Sequence, residues 1–272
     1  MAWSITNNRR LRTAQGGAAA FFLIFAAAVL PGCSTPQAPM KWGPPNAALG
    51  ATFTLEEMER KVINGQTAIV YRLKTSGLPE GRIFTLLSKP LDSKPTRVTD
   101  QRFYATQTGK LLAQGPTVEM TTVSGSPPID IQGIDREFLL TVAGFAKAEP
   151  LRLALIDMER TITVFAKTIP FPIETTNKER CRLWLELGSR KGDVFAVFGE
   201  GFKPDEEIST VSKSGAKIVE KKRNASAGGL LLDIIEPGIA DQSSGRASYS
   251  VMSRSCVLTL NYDWGTAAQV LQ

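Results

Sequence analysis

The sequence predicts an all-β protein that contains two tandem β-sandwich units, and three observations support this expectation. In many short segments after Thr67, apolar residues alternate with polar ones, which is the pattern of a strand with one buried face. Glycine and proline residues separate these segments at intervals of roughly 8–15 residues, as in β-sandwich folds. Beyond residue 63, no long segment carries apolar residues at the spacing of an amphipathic helix.

Residues 1–32 are predicted to be a cleaved export signal. Three arginines within residues 9–12 precede a short apolar run over residues 18–30, and this run is shorter than the ~20 residues that a membrane-spanning helix needs. The run ends in Leu-Pro-Gly-Cys at residues 30–33, which resembles the lipobox of bacterial lipoproteins. The resemblance implies that the Cys33 thiol is acylated and that the signal is removed just before it. An uncleaved anchor helix is the alternative interpretation.

The acyl group predicted on Cys33 places the protein in the cell envelope, with the membrane as its first partner. Ser34, rather than an aspartate, follows the cysteine, and in lipoproteins of Gram-negative cells this pattern implies sorting to the outer membrane. We therefore expect a lipid-anchored protein of the outer membrane that faces the periplasm. Residues 33–46 are rich in proline and are predicted to be an extended tether.

The first predicted unit spans residues 47–168. Its sequence begins with Thr54-Leu55-Glu56-Glu57, which has the form of a helix capping box, and apolar residues at helical spacing follow. This pattern predicts one short helix near residues 55–63, ended by Asn64-Gly65. The strands of this unit are predicted at residues 68–74, 83–87, 118–123, 138–143, 151–156 and 161–166. Two prolines within residues 169–173 mark the end of the unit, because proline cannot lie inside a central strand.

The second predicted unit spans residues 174–265, and residues 266–272 form a C-terminal tail. Its strands are predicted at residues 181–187, 194–198, 208–212, 217–221, 230–235, 247–253 and 256–262. Seven strands are typical of an immunoglobulin-like sandwich. Residues 197–204, Val-Phe-Gly-Glu-Gly-Phe-Lys-Pro, resemble the opening of TIG/IPT-type immunoglobulin-like modules. The resemblance implies a binding or spacer module of the cell surface, without catalytic residues. The two glycines of this stretch allow a tight turn or bulge, so Phe202 can fold back into the core.

Cys181 and Cys256 are predicted to form a disulfide, because each begins a row of alternating apolar residues with the same spacing. If their strands are parallel neighbours, the two cysteines meet; if the strands are antiparallel, the cysteines lie roughly 20 Å apart, too far to bond. Parallel first and last strands are common in immunoglobulin-like folds, and an oxidising envelope compartment favours the bond. Two buried free thiols are the alternative.

The composition excludes several classes of catalysis. The sequence contains no histidine, so Ser-His-Asp triads, Cys-His dyads and histidine-ligated zinc or haem sites are ruled out. The predicted signal supplies three positive charges of the formal net charge of +6, and no clustered basic face for nucleic acid is predicted. We expect no cofactor and no metal site, because the acidic segment at residues 205–207 lacks the alternating spacing of a calcium loop.

Two features leave a catalytic alternative open. The segment from Ser214 to Lys217 matches the S-x-x-K motif, but it lies in a predicted hairpin turn rather than at the start of a helix. Acids such as Asp157, Asp233 and Glu236 could serve a glycosidase only if two carboxylates lay about 5–10 Å apart in a cleft. A carboxylate-dependent envelope glycan hydrolase is therefore the alternative to a non-catalytic function.

Trp184 is the residue that most favours a partner surface. It alternates with the leucines of its strand, so it points away from the predicted core, and an exposed tryptophan on a strand can mark a binding surface. Packing against the first unit would explain its position equally well. We predict a protein that is not an enzyme and that binds or scaffolds a protein or glycan partner. An accessory lipoprotein of a secretion or surface-assembly machine is a further alternative.

Overall fold

The computed structural model describes residues 41–45, 50–63, 65–114, 118–120, 129–131, 136–178 and 180–272. The predicted export signal, the acylation of Cys33 and the first part of the predicted tether lie outside the described residues. Within the described ranges, no helix is long and apolar enough to cross a membrane.

The predicted all-β class is confirmed, since the described residues form twenty strands and one 3-10 helix, at Thr266–Gln269. The strands are β1 (Thr52–Ile63), β2 (Gln66–Ser76), β3 (Ile83–Ser88), β4 (Thr96–Arg97), β5 (Phe103–Ala105), β6 (Leu111–Ala113), β7 (Val118–Met120), β8 (Ile129–Ile131), β9 (Arg136–Glu137), β10 (Leu139–Val142), β11 (Leu151–Asp157), β12 (Thr163–Thr168), β13 (Ile173–Thr176), β14 (Arg182–Leu187), β15 (Phe195–Glu200), β16 (Glu207–Ser214), β17 (Lys217–Asn224), β18 (Leu231–Ile235), β19 (Ser244–Met252) and β20 (Val257–Gly265).

The N-terminal half contains two antiparallel sheets and one core. The smaller sheet has the order β1-β2-β10, and the larger has the order β12-β11-β3-β5-β6-β9, with β4 paired to β3. Phe53 and Leu73 from the smaller sheet and Phe84, Leu86 and Leu153 from the larger one are almost inaccessible to solvent and belong to the same hydrophobic core. Strands β7 and β8 form a separate pair.

The helix predicted near residues 55–63 is wrong, because this segment lies in β1 and pairs with β2 along its length. The register shifts by one residue between Glu57 and Glu59. From this bulge onward both faces of the strand are exposed, including Met58, Val62 and Ile63, so burial imposed no period of two on these residues. The dipeptide Asn64-Gly65, which was interpreted as a helix stop, connects the paired residues Ile63 and Gln66 and is a typical hairpin signal.

The C-terminal half contains two four-stranded antiparallel sheets that enclose a second core. One sheet has the order β13-β14-β15-β18 and the other has the order β17-β16-β19-β20. The seven strands predicted for this half correspond to β14 to β20. Strand β13 was not predicted, and it begins at Ile173, inside the segment that was assigned to the boundary.

The two halves contact each other directly, and Trp42–Gln272 forms one compact unit. Ala146 and Ala148, from the N-terminal half by sequence, belong to the C-terminal core. The amide of Leu187 donates a hydrogen bond to the carbonyl oxygen of Ala148 at 2.8 Å. In the predicted tail, Leu271 forms a β-bridge with Ala146. The division into independent domains at 47–168 and 174–265 stays a prediction.

Candidate partner-binding surface

The outer face of the sheet β13-β14-β15-β18 carries an apolar strip, which we define as Trp184, Phe198, Leu232 and Ile234. The strand register places Trp184 beside Phe198 and Phe198 beside Leu232. Because side chains alternate between the two faces of a strand, the burial of Leu183 and Leu185 in the core directs Trp184 outward. The orientation of Trp184 therefore agrees with the one predicted.

The two aromatic rings of the strip stack on each other. The ring centroids of Trp184 and Phe198 are 5.4 Å apart, with an angle of 11° between the ring planes. The guanidinium carbon of Arg182 lies over the indole of Trp184, 4.9 Å from its centroid. Arg182 also donates a hydrogen bond at 2.6 Å to Glu174, which is the neighbour of Trp184 on β13. Arg182 also pairs with Glu200 of β15, at 3.6 Å, so its guanidinium group bridges the carboxylates of two neighbouring strands beside the indole.

This stacking has a consequence for the kind of partner that the strip can bind. A sugar stacks on the open face of an aromatic ring, but the Trp184 indole already stacks on Phe198 and has the Arg182 guanidinium group over its ring. What the strip offers instead is aliphatic surface on β18, where Leu232 is 59% exposed and Ile234 is 53% exposed. Apolar side chains of a protein partner suit this surface better than a glycan does.

The charged groups around the aromatic pair are themselves paired. The hydrogen bonds with Glu174 raise the pKa of Arg182 above its usual value, so this cation stays charged over the indole. At the other ring, the ammonium group of Lys167 lies 5.2 Å from the centroid of Phe198. Both cations contact carboxylates, and the strip therefore has a charge-balanced rim.

Strand β18 lies at the edge of its sheet, but its backbone is partly closed to a further strand. The amide of Ile234 donates a hydrogen bond at 3.0 Å to the side chain of Asp233. The ammonium group of Lys217 donates a hydrogen bond at 2.8 Å to the carbonyl oxygen of Glu236. Because such contacts blunt a sheet edge, we expect a partner to contact the face of the sheet rather than to extend it.

Glu186 ends the strip on the side of the N-terminal half. Its buried carboxylate accepts hydrogen bonds at 2.6 Å from both Arg152 and Lys167. Since Lys167 also approaches Phe198, packing against the N-terminal half explains part of the burial at this end. The exposed side chains of β18 are not explained in this way.

Cys181 and Cys256 form a disulfide with a Cα–Cα distance of 6.1 Å, and both residues are buried. The arrangement differs from the predicted one, because β14 and β20 belong to opposite sheets and are not paired neighbours. At the far ends of these strands, Phe195, the partner of Leu187, contacts Tyr262 with 5.1 Å between centroids. The two strands therefore run in the same direction across the core, which is why the cysteines meet.

In the turn after β15, Phe202 folds back into the core, as the two glycines before it predicted. Phe202 is only 5% exposed, and a β-carbon at Gly199 would lie 2.8 Å from its ring. Gly201 has a φ angle of +90°, which is unfavourable for residues with a side chain. These glycines allow Phe202 to close the core at this end of the sandwich.

The S-x-x-K segment lies at the tip of the β16–β17 hairpin, where Ser214 is paired with Lys217. The ammonium group of Lys217 donates hydrogen bonds to the carbonyl oxygens of Glu236 and Gly238. The hydroxyl of Ser214 is buried without a hydrogen-bond partner, so Lys217 does not contact the group that it would have to activate. The geometry therefore gives no support to Ser-Lys catalysis.

The predicted acidic pairs have structural contacts. Burial of Asp157 opposes its ionisation, but hydrogen bonds from Ile162 and Thr161 and the charge of Arg82 outweigh this effect and lower its pKa. A glycosidase needs a carboxylic acid with a raised pKa. Among the described carboxyl groups with a shifted pKa, every shift is downward. The described residues also contain no group of three or more metal-ligating side chains.

Sequence reasoning identified Trp184 but missed the three other residues of the strip. One signal was present, because residues 230–235 are apolar on both faces of the strand except at Asp233. A strand with one solvent-exposed face should carry polar residues on that face. No protein-family model matches the chain, and no curated protein matches it significantly.

Proposed function

We propose that this protein is a lipid-anchored component of the bacterial cell envelope that binds a protein partner through the apolar strip and catalyses no reaction. Its anchor is the acylated Cys33, and its place is the periplasmic side of the outer membrane. The arginines, the apolar run and the Leu-Pro-Gly-Cys sequence at residues 30–33 support the anchor. The resemblance of residues 197–204 to TIG/IPT-type modules supports a binding role.

The apolar strip is the observation that carries the binding role. Its exposed aliphatic side chains lie beside a stacked aromatic pair, and contiguous apolar surface of this kind marks interaction sites on soluble proteins. Aromatic residues at the centre of such a surface commonly supply much of the binding energy. The charge-balanced rim formed by Arg182, Glu174 and Lys167 would surround the buried centre of the interface.

A role as an accessory lipoprotein of a secretion or surface-assembly machine is a second candidate, and the same strip favours it. Such a protein must present a rigid apolar surface to its partner while it stays at the membrane. The contacts between the two halves, above all those of Glu186, support this rigidity. The two candidates differ in the partner, which would be a subunit of a larger assembly in the second case.

The anchor is tested by metabolic labelling with a fatty-acid probe, followed by fractionation of the envelope. We expect the unaltered protein to carry the probe and to separate with the outer membrane. The Cys33→Ser variant should lose both the label and this location. Wild-type protein that carries no fatty-acid probe would contradict the anchor, and this result would not depend on what the strip binds.

The strip is tested by crosslinking in intact envelopes with the Leu232→Ser/Ile234→Ser variant. The matched control is Met252→Ser/Val257→Ser, which removes apolar side chains of similar exposure, 59% and 66%, from the other sheet. We expect one crosslinked protein that is lost in the strip variant and kept in the control. The purified partner should show the same difference in direct binding; equal binding by both variants would contradict the proposal.

A further inference from the structure

A cavity of about 440 Å³ opens beside the N-terminal core, and it contains no residue of the apolar strip. Its apolar wall includes Leu140, Leu151 and Leu153, which are buried members of the N-terminal core. Phe145 adds a partly buried ring to this wall. A volume of this size lies within the range of ligand pockets, about 300–1,000 Å³.

Four cations line the same cavity, namely Lys89, Arg97, Arg152 and Arg190. Arg152 is ion-paired, because its guanidinium group contacts Glu186 at 2.6 Å, although it shares this carboxylate with Lys167. The ion pairs found among the described residues include none for the other three cations. They therefore leave an uncompensated positive charge at the cavity.

The acids near the cavity offset only part of this charge. Glu149 is the acidic residue of the lining, and its carboxylate accepts a hydrogen bond at 3.0 Å from the amide of Ala146. Outside the lining, the carboxylate of Asp92 accepts a hydrogen bond at 2.8 Å from the amide of Arg190, so two carboxylates lie near three cations that have no ion pair. The cavity therefore combines an apolar wall with a cationic rim, and this combination suits a ligand with an anionic head and an apolar body.

We propose that this cavity binds the headgroup of an anionic phospholipid. The guanidinium groups of Arg97 and Arg190 present forked donors that match the oxygen atoms of a phosphate, and Lys89 adds a point charge. The leucine wall accommodates the first part of the apolar chain. A free phosphate ester would satisfy the cations but leave the apolar wall uncovered.

The position of Trp42, near the first of the described residues, supports a lipid as the source of the phosphate, and this step depends on the proposed acylation of Cys33. The ring of Trp42 packs on Phe165 with 5.3 Å between centroids, and the ammonium group of Lys89 lies 5.9 Å from the Trp42 ring. The residues from Cys33 to Trp42 span at most about 30 Å when extended. An anchored protein therefore holds this rim within reach of the bilayer surface.

The test is native mass spectrometry of the full chain, with Cys33→Ser so that no acyl group contributes, in mixed micelles of phosphatidylglycerol and phosphatidylcholine. The Lys89→Gln/Arg97→Gln/Arg190→Gln variant removes the unpaired cations. The matched control, Lys203→Gln/Lys213→Gln/Arg254→Gln, removes three exposed cations that do not line this cavity. Thermal unfolding checks that both variants fold.

We expect the unaltered chain and the control to retain one phosphatidylglycerol in preference to phosphatidylcholine. The cavity variant should retain at least about tenfold less, since the three basic residues supply the electrostatic attraction to the anionic headgroup. Equal retention of both lipids, or an equal loss in both variants, would overturn the proposal. Glycerol phosphate should displace the bound lipid only at a much higher concentration than a short-chain phosphatidylglycerol does. Displacement by both compounds at the same concentration would show that the ligand is a free phosphate ester rather than a lipid. The labelling of Cys33 tests the anchor, and its outcome does not depend on whether the cavity binds a lipid.

Discussion

The carboxylate of Glu186 accepts a hydrogen bond at 2.6 Å from the ammonium group of Lys167, although the two residues lie in different halves of the chain. Arg152 donates a hydrogen bond of the same length to the other carboxylate oxygen. The side chain of Glu186 is 8% exposed, whereas those of the cations are 23% and 33% exposed. One carboxylate on β14 therefore connects β11 and β12 of the N-terminal sandwich to the C-terminal sheet.

Glu186→Gln should lower the free energy of unfolding by about 2 kcal/mol. Loss of one partner from a buried ion pair costs roughly 3–5 kcal/mol, and the partial exposure of both cations reduces this value. Urea unfolding at neutral pH measures the change. Glu207→Gln is the control, because its pair with Lys222 is exposed and should contribute at most about 1 kcal/mol. Equal effects of the two substitutions would show that Glu186 does not connect the halves.

Removal of the disulfide by Cys181→Ala/Cys256→Ala should lower the free energy of unfolding by about 4 kcal/mol. The bond closes a loop with a sequence separation of 75 residues, and the entropy of the unfolded chain rises when such a loop is opened. Guanidinium unfolding of the oxidised protein and of the variant measures the difference. Mass spectrometry of unreduced peptides should find the two cysteines linked; a free thiol at either position would contradict the bond.

The contribution of Glu206 to stability should disappear at acidic pH. Hydrogen bonds from the hydroxyl of Ser255 and the amide of Lys203 lower the pKa of Glu206 from 4.5 to about 2. Because the folded state favours the ionised carboxylate, this contribution is present above pH 4.5 and is lost as the pH falls towards 2. The difference in stability between the unaltered protein and Glu206→Gln should shrink over this interval.

Unfolding curves recorded across this pH interval measure the contribution of Glu206. Ser255→Ala serves as a second variant, since it removes the hydroxyl that donates to Glu206 at 2.6 Å. It should reduce the pH dependence while the carboxylate remains. A constant difference between the unaltered protein and Glu206→Gln from pH 5 to pH 2 would contradict the shifted pKa.

Gly199→Ala should destabilise the C-terminal sandwich by about 1–3 kcal/mol, as expected when extra volume is forced into a packed core. The added β-carbon would lie 2.8 Å from the ring of Phe202 and 3.3 Å from the β-carbon of Leu231. Thermal unfolding measures the effect. Gly238→Ala is the control, because no atom lies within 4 Å of its added β-carbon. An unchanged midpoint for Gly199→Ala would show that Phe202 does not pack on this glycine.

The strands with a regular alternation of apolar and polar residues could be predicted from the sequence. In the C-terminal half, β14 to β20 all correspond to predicted segments, because burial of one face imposes a period of two on each strand. Strands β4, β5, β6 and β9 contain only two or three residues, which is too short for a period to be recognised. Strand β1 was missed because its second half is exposed on both faces and therefore shows no alternation of apolar and polar residues.

The candidate surface was only partly predictable. The direction of Trp184 follows from its own strand, but its contacts with Phe198 and Leu232 depend on the register of β15 and β18. No local pattern gives that register, since residues 184 and 232 are far apart in the chain. The partners of Glu186 are likewise decided by the packing of one half on the other.

The sequence alone determined the all-β class, the strands β14 to β20 of the C-terminal half and the outward direction of Trp184. Each of these depends on the alternation of side chains within one strand. The tertiary structure alone decided that Cys181 and Cys256 meet across the core from opposite sheets. It also decided which side chains complete the apolar strip and which cations surround the cavity at Lys89. These relationships join residues that are distant in sequence, and only the packing of sheets and strands brings them together.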